Sequence, residues 1–210
     1  MTSALVYIVY HRVYTVPMKQ DSTAEKILRA GRRLLDAKGS DAVTMRRIAT
    51  AVGITAMAIY RHYRDHDALL NALADQGFAE LARLLAHASS SGSVEQRLMS
   101  LGEIYLDHAL KNPRLFELMF LKARSGARQY PRDFQAGGSP TANVVAQVVR
   151  EGMQQGYFRK DNAWEIVFEF GALSHGMIML FLGGRMQMSE VRFRQLYRRS
   201  FGRYIRGIRK

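Results

Sequence analysis

With 210 residues, 48% of them hydrophobic and 23% charged, the chain has globular proportions and room for one large or two small domains, which excludes a disordered tail or a low-complexity fibre. Its 31 Lys and Arg against 18 Asp and Glu give a formal charge of +13, a field that attracts nucleic acid or an anionic membrane surface. Cysteine is absent, which excludes disulfide scaffolds, thiolate nucleophiles and cysteine metal sites and makes a reducing cytoplasm the expected compartment.

Residues 1–17 alternate aromatic and β-branched side chains unlike anything that follows. The apolar run Ala4 to Tyr10 is short, without a basic leader or a small-residue cleavage site, so it does not read as a signal peptide. Met18 is the expected natural start, with 1–17 a non-native or loosely packed extension.

From Ser22 onward apolar residues recur at spacings of three and four, which predicts an all-α chain. Ile27, Ala30, Leu34 and Leu35 form one face of a first helix that ends at Lys38-Gly39. Thr44 caps a second, short helix with Ile48, Ala49 and Val52 inward and Gly53 as its stop, and a third runs from about Thr55 to Tyr63. Three compact helices with a glycine turn between the second and third are the layout of a helix-turn-helix unit. Residues 18–66 are therefore assigned to a DNA-binding domain and 67–210 to a second helical domain.

In that second domain a long helix starts beyond Asp67 and stops at the serine run 89–93, and Val94 to Leu110 is amphipathic. Asn112-Pro113 caps the next helix, Ser125 to Pro140 is a loop, and Thr141 to Gln155 is helical again. Asp161 caps a long apolar helix to Gly183, and Ser189 caps a last basic one to about Arg209. Within the apolar helix, Phe168 to Gly184 contains Glu169 and His175 and falls short of the roughly 20 apolar residues that span a bilayer. A buried or interface helix is expected there, with no membrane partner.

The segment Thr44 to Leu70, TMRRIATAVGITAMAIYRHYRDHDALL, resembles the DNA-binding segment of the TetR family of bacterial transcriptional regulators. The likeness lies in Thr44-x-Arg46, the Ile48-Ala49 pair, the Val52-Gly53 turn, Tyr60-x-His62-Tyr63 and the leucines that open the fourth helix. Physical chemistry gives several of these residues their tasks independently. Thr44, at a helix N-terminus, offers a hydroxyl beside unpaired N–H groups, a phosphate site. Arg46, one turn in, reaches a guanine edge or a phosphate. Thr55, Ala56 and Met57 open the recognition helix, the end that enters the major groove. The resemblance implies that Tyr60 and His62 contact phosphate and bases, whereas Ile59 and Tyr63 face the core. Arg47, Arg61 and Arg64 add charge. His66 stands where the family usually has a phosphate-binding lysine, and a largely neutral imidazole anchors the backbone less firmly.

Asn112 to Phe120 and Leu173 to Leu180 are similar to the ligand-binding, dimer-forming domain of the Trp-His-Gly type, which His175 and Gly176 match. This resemblance implies a homodimer packed through the last two long helices, with Gly171 and Gly176 allowing close approach. It also implies a pocket that draws on Tyr105, Phe116, Met119, Phe120, Trp164, Phe168, His175 and Met177 and holds a small apolar or aromatic effector. For His175 a hydrogen-bonded interface position is favoured over ligand contact.

His62-x3-His66 has a spacing compatible with metal ligation but straddles the end of the recognition helix, so no metal is expected, and no cofactor. No phosphate-binding glycine loop, Gly-x-Ser-x-Gly elbow or apolar carboxylate pair marks an enzyme. The expected function is a cytoplasmic, ligand-responsive regulator, a repressor that leaves double-stranded operator DNA when its effector binds. The alternative is a non-specific basic nucleic-acid or membrane-surface protein. Nine basic residues against Glu190 alone in 185–210 show that the tail carries much of the charge, so the DNA assignment rests on spacing in Thr44 to Leu70. Arg46→Ala separates the two readings: it is expected to remove about 1–3 kcal/mol of preference for one sequence, whereas salt-dependent binding without preference and unchanged by the substitution supports the alternative.

Overall fold

The computed structural model describes residues 5–9, 12–16 and 22–210. Leu5–Val9 (β1) and Arg12–Val16 (β2) form a two-stranded antiparallel hairpin; the expected start at Met18 lies outside the described residues. Everything from Ser22 onward is built on helices, as the apolar spacing predicts.

The N-terminal unit comprises α1 (Thr23–Lys38), α2 (Met45–Val52) and α3 (Ala56–Tyr60), followed by α4 (His66–Ala88). Ser22 and Glu25 close a capping box at the start of α1. Gly53 ends α2 with φ at 76°, a left-handed conformation that an L side chain adopts only at a cost. Helix α3 is shorter than expected: the His62 amide bonds back to Ile59 after Tyr60, tightening the last turn into a non-helical bend.

The second unit comprises α5 (Val94–Lys111), α6 (Pro113–Phe120), α7 (Arg132–Gln135), α8 (Pro140–Gln154), α9 (Ala163–Leu182) and α10 (Glu190–Gly207). The expected loop Ser125 to Pro140 therefore contains the single turn α7. Asn112 does not cap α6 with its side chain. Its Oδ1 instead accepts from Arg32 Nη2 of α1 at 2.7 Å, a use that local sequence does not disclose. Helix α9 is longer than the run read from sequence, 20 residues with mean hydropathy 1.5, long and apolar enough to cross a membrane by composition. In the fold it packs against α5, α8 and α10, burying Ile166, Val167, Phe170, Ser174 and Ile178.

Helix α10 buries Phe193, Tyr197, Phe201 and Ile205, one side chain every turn, and leaves its arginines outward, where Arg194 and Arg198 pair with Asp107 and Glu103 on α5. Close approach between α5 and α8 depends on Gly152, where an added Cβ falls 2.4 Å from Phe158 Cδ2 and 2.9 Å from Val94 Cγ1. Gly152→Ala is expected to cost about 1–3 kcal/mol through overpacking and to lower the melting temperature by several degrees. An unchanged melting temperature contradicts this packing.

Candidate nucleic-acid interface and ligand cavity

The residues assigned to DNA reading lie on α2, on α3 and just past its end, at the N-terminal caps of both helices and at the start of α4. Arg46, Arg47, Thr55, Ala56, Met57, Tyr60, Arg61, His62 and His66 are all exposed and Thr44 is half-buried, whereas Ile59 is fully buried and Tyr63 packs against the core. Met57 is 72% exposed, a large apolar side chain left in solvent at the first turn of α3. Nothing in the folding of a short helix requires that.

The local order of this surface comes from caps. Thr44 Oγ1 accepts from the Arg47 amide at 3.3 Å and Thr55 Oγ1 from the Ala58 amide at 3.2 Å. Both hydroxyls therefore fix helix N-termini, and at Thr44 the remaining amides of the first turn are what stays available to a phosphate. His66 has a task the sequence did not show: its Nε2 lies 2.6 Å from the Val43 carbonyl, tying the start of α4 to the residue before the Thr44 cap. With that nitrogen donating to the carbonyl, His66 positions α2 as well as facing solvent. His62 and His66 do not form a metal centre with other side chains; among the described residues no group of three or more His, Asp or Glu is gathered.

A cavity of about 430 Å³ lies in the second unit between α4, α5, α6, α8 and α9. Of the residues expected there, Tyr105, Met119, Phe120, Phe168 and His175 line it. Phe116 does not: it is 1% exposed and stands behind the wall, its ring 5.3 Å from that of His175. Trp164 and Met177 also lie outside the lining, Trp164 beneath the Arg150 guanidinium and Met177 packed on the core.

His175 is in the lining of the cavity. Its Nδ1 lies 3.2 Å from the Gly171 carbonyl and 2.9 Å from the Tyr105 hydroxyl, which is also 3.1 Å from Nε2, so the ring is held between the α9 backbone and Tyr105. Burial pushes the His175 pKa down, and burial likewise holds the Tyr105 hydroxyl well above the ordinary phenol range. Both shifts favour the uncharged forms.

Sequence reasoning missed Phe78 and Leu85 of α4, Phe134 of α7, and Arg124 and Arg128 of the connecting segment, all in the lining. Phe78 and Leu85 follow the same apolar period as core residues, so nothing local marks them. The two arginines reach the wall through hydrogen bonds from distant parts of the chain.

Helix α6, which supplies Met119 and Phe120 to the cavity wall, is also tied, together with the residues just after it, to the N-terminal unit. Lys122, just past α6, donates from Nζ to Asp41 Oδ1 at 2.6 Å and to Ser40 Oγ at 2.7 Å, in the turn before α2. The Lys122 ammonium holds the Asp41 carboxyl below its ordinary pKa. Arg114 Nη1, on α6, donates to the Asp36 carbonyl at the end of α1.

Residues 27–73 match the family profile described as bacterial regulatory proteins, tetR family, and residues 98–204 the one described as tetracyclin repressor-like, C-terminal domain. The chain is 22% identical over 158 residues to the uncharacterized HTH-type transcriptional regulator YobS of Bacillus subtilis, spanning 75% of this chain and 78% of that protein. It is 33% identical over 102 residues to the class A tetracycline repressor from transposon 1721 of Escherichia coli, 49% of this chain but only 42% of that protein. Among solved structures, a protein of unknown function from Rhodococcus sp. RHA1 superposes with a TM-score of 0.78 at 25% identity, covering 92% of this chain and 99% of that one.

The open position of His66 generates a direct test. His66→Lys keeps a donor for Val43 and adds a charge at the rim of the interface, so it is expected to tighten binding to operator and to random duplex by the same factor and to steepen the salt dependence by about one phosphate contact. Fluorescence anisotropy on both duplexes measures this, and unchanged affinity removes His66 from the interface.

Proposed function

The chain belongs to the TetR family of bacterial regulatory proteins and is a DNA-binding transcriptional regulator, and from that premise we propose that it is a cytoplasmic repressor whose grip on its operator is released by a small, largely apolar molecule bound between α4, α5, α6, α8 and α9. The observation that carries the reading is that one helix, α4, contributes to both places. His66 at its start is bonded into the DNA-reading unit and Phe78 and Leu85 further along it line the cavity.

Operator binding in this reading requires a homodimer. Phe168, Ala172, Gly176 and Leu180 succeed one another at four-residue spacing along α9 and are all exposed or open, with no heavy atom within 4 Å of a Cβ built on Gly176. A stripe of that kind is the natural two-fold contact, joined by α10. The dimer sets the separation of the two α3 helices, which must match about 34–36 Å or a multiple to enter successive major grooves. A ligand that favours another separation weakens DNA binding, with coupling of typically about 1–3 kcal/mol.

Two routes lead from the cavity to α2 and α3. One is α4 itself. The other is α6, whose Met119 and Phe120 form the wall and whose continuation holds Asp41 through Lys122. Asp41 is 94% exposed at its side chain, so this pair alone contributes little, and packing of α6 on α1 carries more of the link.

Footprinting on DNA upstream of the protein's own coding region is expected to protect an inverted repeat, lost with Arg46→Ala. A cavity-filling substitution, Ala142→Trp, is expected to abolish ligand-driven release while leaving the footprint. Protection without symmetry or sequence preference contradicts the reading, and so does release that survives Ala142→Trp.

A further inference from the structure

We propose that the cavity takes an apolar organic anion, a carboxylate or its equivalent on a hydrophobic body, whose head is received by Arg124 and Arg128 in place of Asn71 and Asp75 of α4. The inference rests on the reading of this cavity as the effector site and assigns the effector its charge and the place where that charge is received.

Among the residues that line the cavity two carry a full charge, Arg124 and Arg128, and none is acidic. The remaining polar groups are neutral or engaged. His175 and Tyr105 face each other, Ser174 Oγ accepts from Tyr197, and Ser139 Oγ accepts from the Ala142 amide. An apolar chamber whose charged groups are both cations selects against amines and favours an anion.

The two guanidiniums are fixed but not saturated. Arg124 gives Nε to the Leu118 carbonyl at 3.0 Å, Nη2 to the Met119 carbonyl at 3.0 Å and Nη1 to Asn71 Oδ1 at 2.7 Å, all uncharged oxygens. Arg128 gives Nε to the Gly138 carbonyl at 2.7 Å and Nη2 to Asp75 Oδ1 at 3.1 Å, and it lies 4.8 Å above the Phe78 ring. A guanidinium has further N–H donors beyond these, and its fork matches a carboxylate. Among the described residues no carboxylate is hydrogen-bonded to Arg124, and Arg128 is paired with a carboxylate whose side chain is 58% exposed and therefore screened. Burial pushes the Arg124 pKa down and the neighbouring Arg128 charge adds to that, against the pull of Asp75, as expected of a cationic pair awaiting an anion.

The acceptors that such an anion displaces lie one turn apart on α4. Asn71 and Asp75 are held to the 124–128 segment by these arginines, and nine residues before Asp75 the same helix makes the His66–Val43 contact. A head group that draws the guanidiniums to itself frees α4 from one of its polar moorings and leaves His66–Val43 and Arg32–Glu80 in place. Ligand charge then becomes the means of release, and the hydrophobic body supplies affinity.

The test uses the full chain in equilibrium dialysis with biphenyl-4-carboxylate, biphenyl-4-carboxamide and biphenyl-4-ylmethylammonium, which share a body and differ in charge. The carboxylate is expected to bind about tenfold or more tighter than the carboxamide, and the ammonium weakest. Arg128→Gln should bring carboxylate and carboxamide together. Asp75→Asn, an exposed change that does not threaten folding, should tighten the carboxylate by up to about fivefold and leave the carboxamide unchanged. A wild-type preference for the carboxamide or the ammonium overturns the proposal, as does a carboxylate affinity that Asp75→Asn does not raise. If no probe binds, or all bind equally to Ala142→Trp, the cavity itself is not the effector site and the reading beneath the proposal falls with it.

Discussion

The 23 residues of α4 are shared between two packing arrangements, and the rest of the structure depends on that sharing. Near its start Leu69, Leu70 and Leu73 are buried, and Leu73 reaches to within van der Waals contact of the position a side chain on Gly31 of α1 would fill. Further along, Phe78 and Leu85 stand at the cavity, and Gly77 lets Leu115 and Met119 of α6 lie against the helix without room for a Cβ. A helix that serves as wall to a chamber and as lid to a DNA-reading unit cannot shift at one end without disturbing the other, because interiors at crystal-like density do not absorb displacement. Allostery needs such an element, with each ligand favouring one of its positions.

Polar contacts set where α4 rests. His66 holds Val43, Arg32 of α1 reaches Glu80 on α4 and Asn112 before α6, and Arg124 and Arg128 hold Asn71 and Asp75. Most of these groups are partly exposed, so each contributes modestly. Their value lies in geometry: they tie α4 at several points along its length to the elements on either side of it. The basic tail plays no part in this. The arginines of α10 lie outward around a buried aromatic stripe, two of them paired to α5.

The DNA-reading unit was legible in the sequence because its determinants are local. Thr44, Gly53 and Thr55 are caps and a stop, whose effect extends over three or four residues, and Ile48, Ala49 and Ile59 follow from helical period. The end of α3 was not, since the backward bond from His62 to Ile59 depends on how the chain must turn to reach α4. The cavity was half legible. Tyr105, Phe120 and His175 emerged from a likeness in the C-terminal half, but Phe78 and Leu85 carry the same periodic signal as any core leucine. Trp164 is partly exposed against Arg150 because the first turn of α9 extends beyond the chamber, and Phe116 sits one layer behind the wall. Arg124 and Arg128 were invisible for a different reason: a surface-type residue acquires meaning only when tertiary structure brings carbonyls and α4 acceptors to its guanidinium. The diversion of Asn112 from cap to interdomain bond is the same effect.

In the proposed mechanism, filling the cavity moves the DNA-reading units of the dimer relative to each other through α4. The chain contains no cysteine, so Ala51→Cys on the exposed side of α2 introduces one spin-label site per protomer. Double electron–electron resonance on the dimer, with the cavity empty and then saturated with biphenyl-4-carboxylate, measures the separation directly. A shifted distance distribution is expected on saturation, with return to the unliganded distance when operator displaces the ligand. Superimposable distributions with the cavity filled would contradict this mechanism.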